Sequence, residues 1–143
     1  MIQFILGGAR SGKSRLAEQT AIASNKPVTY IATAQAWDNE MQERIVHHQA
    51  QRPAAWTLVE EPLHLAARLK QLDQAGRVIL VDCLTLWMSN LLMQKDENIQ
   101  ADECAQLLQV LPSLQSEILL VSNETGLGVV PMGQISRKFV DES

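Results

Sequence analysis

The chain has 143 residues, a length that predicts one domain, 1–143, around one sizeable core. Hydrophobic residues at 46% and charged residues at 20% exclude general disorder. Sixteen acidic against twelve basic side chains give a net charge of −4, which lacks the positive field that a nucleic-acid groove or an anionic membrane surface requires. No apolar run approaches the ~18 residues of a membrane span, and no signal-peptide pattern opens the chain, so a cytoplasmic protein that neither binds nucleic acid nor enters a membrane is expected. Cys83 and Cys104 have no metal-ligand spacing and read as reduced core or surface thiols.

In chain order, the apolar run at 2–6 ends at Gly7 and Gly8 and suits a central parallel strand. Residues 13–24 carry Leu16, Ala17, Thr20, Ala21 and Ala23 at near-helical spacing, and Pro27 stops them. A second strand is expected at 28–33. A helix follows from about 38, capped by Asp38, to about 51, before Pro53. Residues 56–59 read as a short third strand, and Pro62 suits the first turn of a helix running to about 75, with Gly76 just past its end. The most apolar strand signal, 78–81, delivers Asp82 to its carboxyl end. Helices at about 84–93 and 101–115 precede a fifth strand at 118–121 and an exit loop from Asn123. Strands alternating with helices predict an α/β domain, three layers about a mainly parallel sheet, with its functional loops at the strands' carboxyl ends. Residues 135–140 read as the start of a helix with no strand after it, which suggests a chain shortened at its C-terminus.

Gly7, Gly8, Ala9, Arg10, Ser11, Gly12, Lys13 and Ser14 fit G-x-x-x-x-G-K-[ST] between a predicted strand and a predicted helix. There the motif has a mechanism. Backbone N–H groups face phosphates, Lys13 adds a point charge, the helix N-terminus favours anions, and the Ser14 hydroxyl can ligate Mg²⁺. Nucleoside triphosphate binding is the direct implication. A carboxylate at the end of an apolar strand, Asp82, suits the second element of such a site, a Mg²⁺ partner on the strand next to the loop.

Arg44, His48 and Arg52 fall at i, i+4 and i+8 on the expected helix, so one face presents two guanidinium groups flanking an imidazole. Guanidinium groups bind phosphate oxygens, and their like charge keeps the ring neutral, as a nucleophile attacking phosphorus requires. A solvated basic face with an incidental histidine is the competing reading. His47 lies about 100° around the helix and His64 sits in another predicted helix without partners, so both read as structural. Gly126 and Gly128 lack the third glycine of a dinucleotide fingerprint; their loop is a turn or a substrate loop.

Taken together, GGARSGKS, YIATA at 30–34, the D-x-E-M-x-x-R-I-x-x-H-x-x-x-R run over 38–52, Trp56 with Glu60 and Pro62, VDCLTLWMSNLL at 81–92 and VSNETGLGVVP at 121–131 resemble one family in order along almost the whole chain. It is the bifunctional adenosylcobinamide kinase/adenosylcobinamide-phosphate guanylyltransferase family of cobalamin biosynthesis. The resemblance implies a P-loop NTPase-like domain with two reactions. Adenosylcobinamide is phosphorylated by ATP or GTP, and GMP then passes from GTP to adenosylcobinamide phosphate through a guanylylated histidine, which by motif position is His48. It also implies nucleotide contacts at Gly7 to Ser14, at Thr33, Ala34 and Gln35, at Gln49, Ala50, Gln51 and Arg52, and at Glu60 and Asp82, with Mg²⁺ and a homotrimer. Glu60 or Asp82 could read the guanine edge, which leaves Asp82 open between metal and base. The family pattern continues beyond the Arg137 to Asp141 stretch into a further helix and strand that this chain lacks. A small-molecule kinase without nucleotidyl transfer, or a nucleotide-binding module inactivated by truncation, are the alternatives.

Overall fold

A computed structural model of the chain describes residues 2–7, 12–34 and 55–123. The helix expected over 38–51, the loop beyond 123 and the helix start at 135–140 lie outside the described residues. Among the described residues, the strands are β1 (Ile2–Gly7), β2 (Val28–Ala32), β3 (Thr57–Glu60), β4 (Val78–Asp82) and β5 (Glu117–Asn123). They form one sheet in the order β1-β5-β4-β2-β3, and every pairing is parallel. The helices are α1 (Lys13–Ala23), α2 (Leu65–Leu72), α3 (Leu84–Leu92) and α4 (Ile99–Val110), the last followed by a 3₁₀ turn at Leu111–Ser113.

Two-sided burial explains why the central strands read as continuous apolar runs. Ile31, Ile79, Val81, Ile118 and Leu120 pack on one face with α2, α3 and α4, around Leu65, Leu69, Trp87, Leu91 and Leu107. Tyr30, Leu80, Leu119 and Val121 pack on the other face with Ala17 and Ala21 of α1. These are the three expected layers. They follow from right-handed crossovers, because β1 to β2 and β4 to β5 run in opposite directions along the sheet and place their helices on opposite faces.

Several boundaries differ from expectation for identifiable reasons. Helix α2 begins at Leu65, not near Pro62, because the Glu61 carboxylate accepts from the N–H groups of Leu63 at 3.2 Å and His64 at 2.9 Å and closes a separate turn first. It ends at Leu72, short of Ala75, because Asp73 turns extended (φ −62°, ψ 132°). Gly76 lies beyond, at φ +82°, in the turn leading to β4. The helix expected to reach 115 stops at Val110; Pro112 has no N–H for the α ladder and its ring crowds the preceding turn, so the chain tightens into 3₁₀ geometry. Strand β5 is longer than predicted, and places Ser122 and Asn123 in the ladder opposite Leu6 and Gly7.

Asp73 clasps the end of α2 to the approach of β5. Its carboxylate accepts from the backbone N–H of Gln115 at 2.9 Å and of Ser116 at 2.8 Å, and from the Ser116 hydroxyl at 2.8 Å. Burial pushes this carboxyl upward, but hydrogen bonds from Gln115, Ser116 and Gln74 outweigh it and hold the group below its ordinary 3.8. A depressed folded-state value means that the stabilisation is complete above the ordinary carboxylate range and is lost as pH falls through the lowered value. The urea midpoint is therefore expected to drop below about pH 4, and part of that drop should vanish in Asp73→Asn. Identical pH dependence in the two proteins would contradict the clasp.

Candidate nucleotide site

Strand β1 ends at Gly7 and α1 begins at Lys13, so the glycine motif occupies the predicted strand–loop–helix junction, with Ser14 as the second residue of the helix. Gly12 caps α1 at φ +77° and ψ 19°. A Cβ there would meet no atom within 4 Å, so conformation and not space demands glycine; another L residue costs about 1–2 kcal/mol in this region. The junction presents the N-terminus of α1 beside the end of β1, where backbone donors and the helix dipole favour an anion. Gly8, Ala9, Arg10 and Ser11 lie outside the described residues.

Asp82 is the last residue of β4, as expected, but its strand is not the neighbour of β1. Strand β5 lies between them, two strand spacings or roughly 10 Å from backbone to backbone. The Tyr30 hydroxyl donates to Asp82 Oδ2. In register, Ala32 stands between Asp82 on β4 and Glu60 on β3, so both carboxylate-bearing positions occupy one row at the carboxyl end of the sheet. Glu60 is exposed on the edge strand, four spacings or roughly 19 Å from β1. It stands at the opposite edge of the sheet from the β1–α1 junction.

Thr33 is a framework residue. Its N–H donates to the Asp82 carbonyl at 3.0 Å, its hydroxyl donates to the Cys83 carbonyl at 2.7 Å and receives the Cys83 N–H at 2.8 Å, and its own carbonyl accepts from Asn90 Nδ2 at 2.7 Å. With its N–H, hydroxyl and carbonyl all held by protein, Thr33 ties the exits of β2 and β4 together; Ala34, partly buried, ends the described segment. Gln35, Arg44, His48, Gln49, Ala50, Gln51 and Arg52 lie outside the described residues.

The supports of this row escaped the sequence reading. Asn90 is 2% exposed within an apolar helix and also donates to the Pro62 carbonyl at 3.1 Å, while Trp87 Nε1 donates to the Leu63 carbonyl at 2.8 Å. Together they pin the loop after β3 to α3. An amide side chain in a largely apolar helix was the available signal for Asn90. His64, expected without partners inside a helix, instead precedes α2 and meets Glu103 Oε1 through Nδ1 at 2.9 Å. Cys83 is partly buried and caps α3, its Sγ accepting from the Leu86 N–H at 3.4 Å. Burial, with the Glu103 charge next, pushes the Cys104 thiol up to about 11, so Cys104 behaves as a core residue.

The fold resembles that of solved proteins. It is similar to the RadB recombinase (TM-score 0.53, 18% identity, 85% of this chain and 60% of that one) and to a KaiC-like protein of Pyrococcus horikoshii (TM-score 0.55, 10% identity, 85% and 60%). The chain thus spans 60% of the length of each. In sequence it is 58% identical over 143 residues to the bifunctional adenosylcobalamin biosynthesis protein CobP of Pseudomonas aeruginosa, covering 100% of this chain and 83% of that one. It is 36% identical over 154 residues to the bifunctional adenosylcobalamin biosynthesis protein CobU of Escherichia coli, covering 99% and 84%. The profile for cobinamide kinase / cobinamide phosphate guanyltransferase matches residues 3–143. The chain belongs to the cobinamide kinase / cobinamide phosphate guanyltransferase family.

Proposed function

We propose that this chain phosphorylates adenosylcobinamide with ATP or GTP and then transfers GMP from GTP to the resulting phosphate through His48. The observation that supports the reading is the β1–Gly12–α1 junction, a strand, a left-handed glycine and a helix start at Lys13, in a chain whose residues 3–143 match this family. In the first reaction the aminopropanol hydroxyl oxygen bonds to the γ-phosphorus, the bond from that phosphorus to the nucleoside diphosphate breaks, and the hydroxyl proton is released. Lys13 and the N-terminus of α1 hold the phosphates and balance their charge.

In the second reaction a neutral imidazole nitrogen of His48 bonds to the α-phosphorus of GTP and pyrophosphate leaves. A phosphate oxygen of adenosylcobinamide phosphate then bonds to the same phosphorus, the nitrogen–phosphorus bond breaks, and the histidine is restored, giving adenosylcobinamide-GDP. This divides one difficult transfer into two displacements and makes the kinetics ping-pong. Arg44 and Arg52, four residues to either side of His48 in sequence, would neutralise charge on the transferring group.

The donor chemistry suits Mg²⁺, which takes hard oxygen ligands from one or two protein groups and the rest from phosphates and water; the Asp82 carboxylate and Ser14 hydroxyl would hold it. When bound, it supplies neutralisation of the triphosphate charge. The assembly we expect is a cytoplasmic homotrimer of one domain over 1–143, with neither nucleic acid nor membrane as a partner. No helix among the described residues is long and apolar enough to cross a membrane.

Mass analysis of adenosylcobinamide incubated with the protein, ATP, GTP and Mg²⁺ tests the two reactions. Addition of one phosphate, then of one GMP with release of pyrophosphate, is expected. A product that stops at the phosphate with GTP in excess would reduce the reading to a kinase.

A further inference from the structure

We infer that Tyr30 is a positioning residue for the nucleotide, acting through Asp82. This rests on the reading that places Asp82 in the nucleotide site. Tyr30 stands opposite Leu80 in the β2–β4 register, and Asp82 lies two residues, roughly 7 Å, further along the same face. A tyrosine is long enough to span that diagonal, and its hydroxyl donates to Asp82 Oδ2. The ring cannot swing away. It is 2% exposed, packed in the core beneath α1, and stacked on Trp56 with centroids 6.4 Å apart and planes 24° from parallel.

A carboxylate at the end of a strand has freedom about its side-chain torsions. A buried, stacked phenol removes that freedom and sets the direction in which the carboxylate presents its lone pairs, whether to the cation on the triphosphate or to the guanine edge. Trp56 adds a second consequence. It is the residue just before β3, the strand reached directly after the segment bearing Arg44, His48 and Arg52. The stack therefore ties the entry to β3, at Trp56, to the same carboxylate through Tyr30.

Tyr30→Phe keeps the ring and its stack and removes only the donor. Binding of GTP, measured by calorimetry with and without Mg²⁺, is compared in Tyr30→Phe, Asp82→Asn and the double variant, with thermal melting as the control for folding. Affinity in Tyr30→Phe should fall about 10- to 100-fold, the usual effect of losing an outer hydrogen-bond partner of a ligand-holding group. The double variant should bind no more weakly than Asp82→Asn alone, because the tyrosine acts only through that carboxylate. A merely structural tyrosine would give losses that multiply. Multiplying losses, or unchanged binding in Tyr30→Phe beside weakened binding in Asp82→Asn, would overturn the inference and leave the site reading standing. Unchanged binding in Asp82→Asn would overturn both.

Discussion

His48→Ala is expected to lose GMP transfer by about 10⁴-fold or more while leaving phosphorylation of adenosylcobinamide nearly unchanged, because only the transfer needs a covalent carrier. The asymmetry is the informative part. A variant that merely disturbed folding would lose both activities together. Parallel assays of phosphate incorporation and pyrophosphate release, on protein shown to melt like the parent, separate the cases. Retained GMP transfer would remove His48 from the mechanism and leave the Arg44–His48–Arg52 spacing as a solvated basic face.

Lys13→Ala should instead lower both activities, each by about 10²- to 10³-fold in kcat/KM, as removal of one preorganised charge from a phosphoryl site generally does. Lys13 is the first residue of α1, immediately after the left-handed Gly12. If one phosphate loop serves both reactions, the two losses should be of similar size. Loss of the kinase activity alone would mean that GTP for the transfer binds elsewhere, and unchanged kinetics would argue against a working phosphate loop.

The two losses also bear on how much of the site could be read before the fold was known. The strand–glycine–helix junction was legible because its signals are local: an apolar run, a left-handed glycine and a helix start lie close together in sequence. Asp82 was legible as a residue, from the apolar run that delivers it, but not in its setting. That β5 lies between β1 and β4 is a property of chain order across the sheet, and periodicity carries no information about it. The family resemblance, supported by the match over residues 3–143, supplied the function that spacing alone left open.

Some of the expectations that failed did so where a side chain bonds far along the chain. Asp73 stops α2 by accepting from Gln115 and Ser116, some 40 residues on, which no signal local to the helix end foresees. His64 finds Glu103 on another helix, and Tyr30 finds Asp82 across a strand pair. Pro112 was a local signal that outweighed the apolar period of the helix before it. Propensity and period locate elements well when burial is two-sided, as in β2 and β4, and locate their ends poorly when tertiary hydrogen bonds decide them.

The most direct test of the histidine carrier is incubation with GTP labelled at the α-phosphate and Mg²⁺, with labelled ATP in parallel, followed by denaturation. Protein-bound label from GTP that is acid-labile, alkali-stable and absent from His48→Ala is the expected result. Absence of bound label in protein that binds GTP and turns adenosylcobinamide phosphate into adenosylcobinamide-GDP would contradict it, because the transfer would then proceed without a guanylylated histidine.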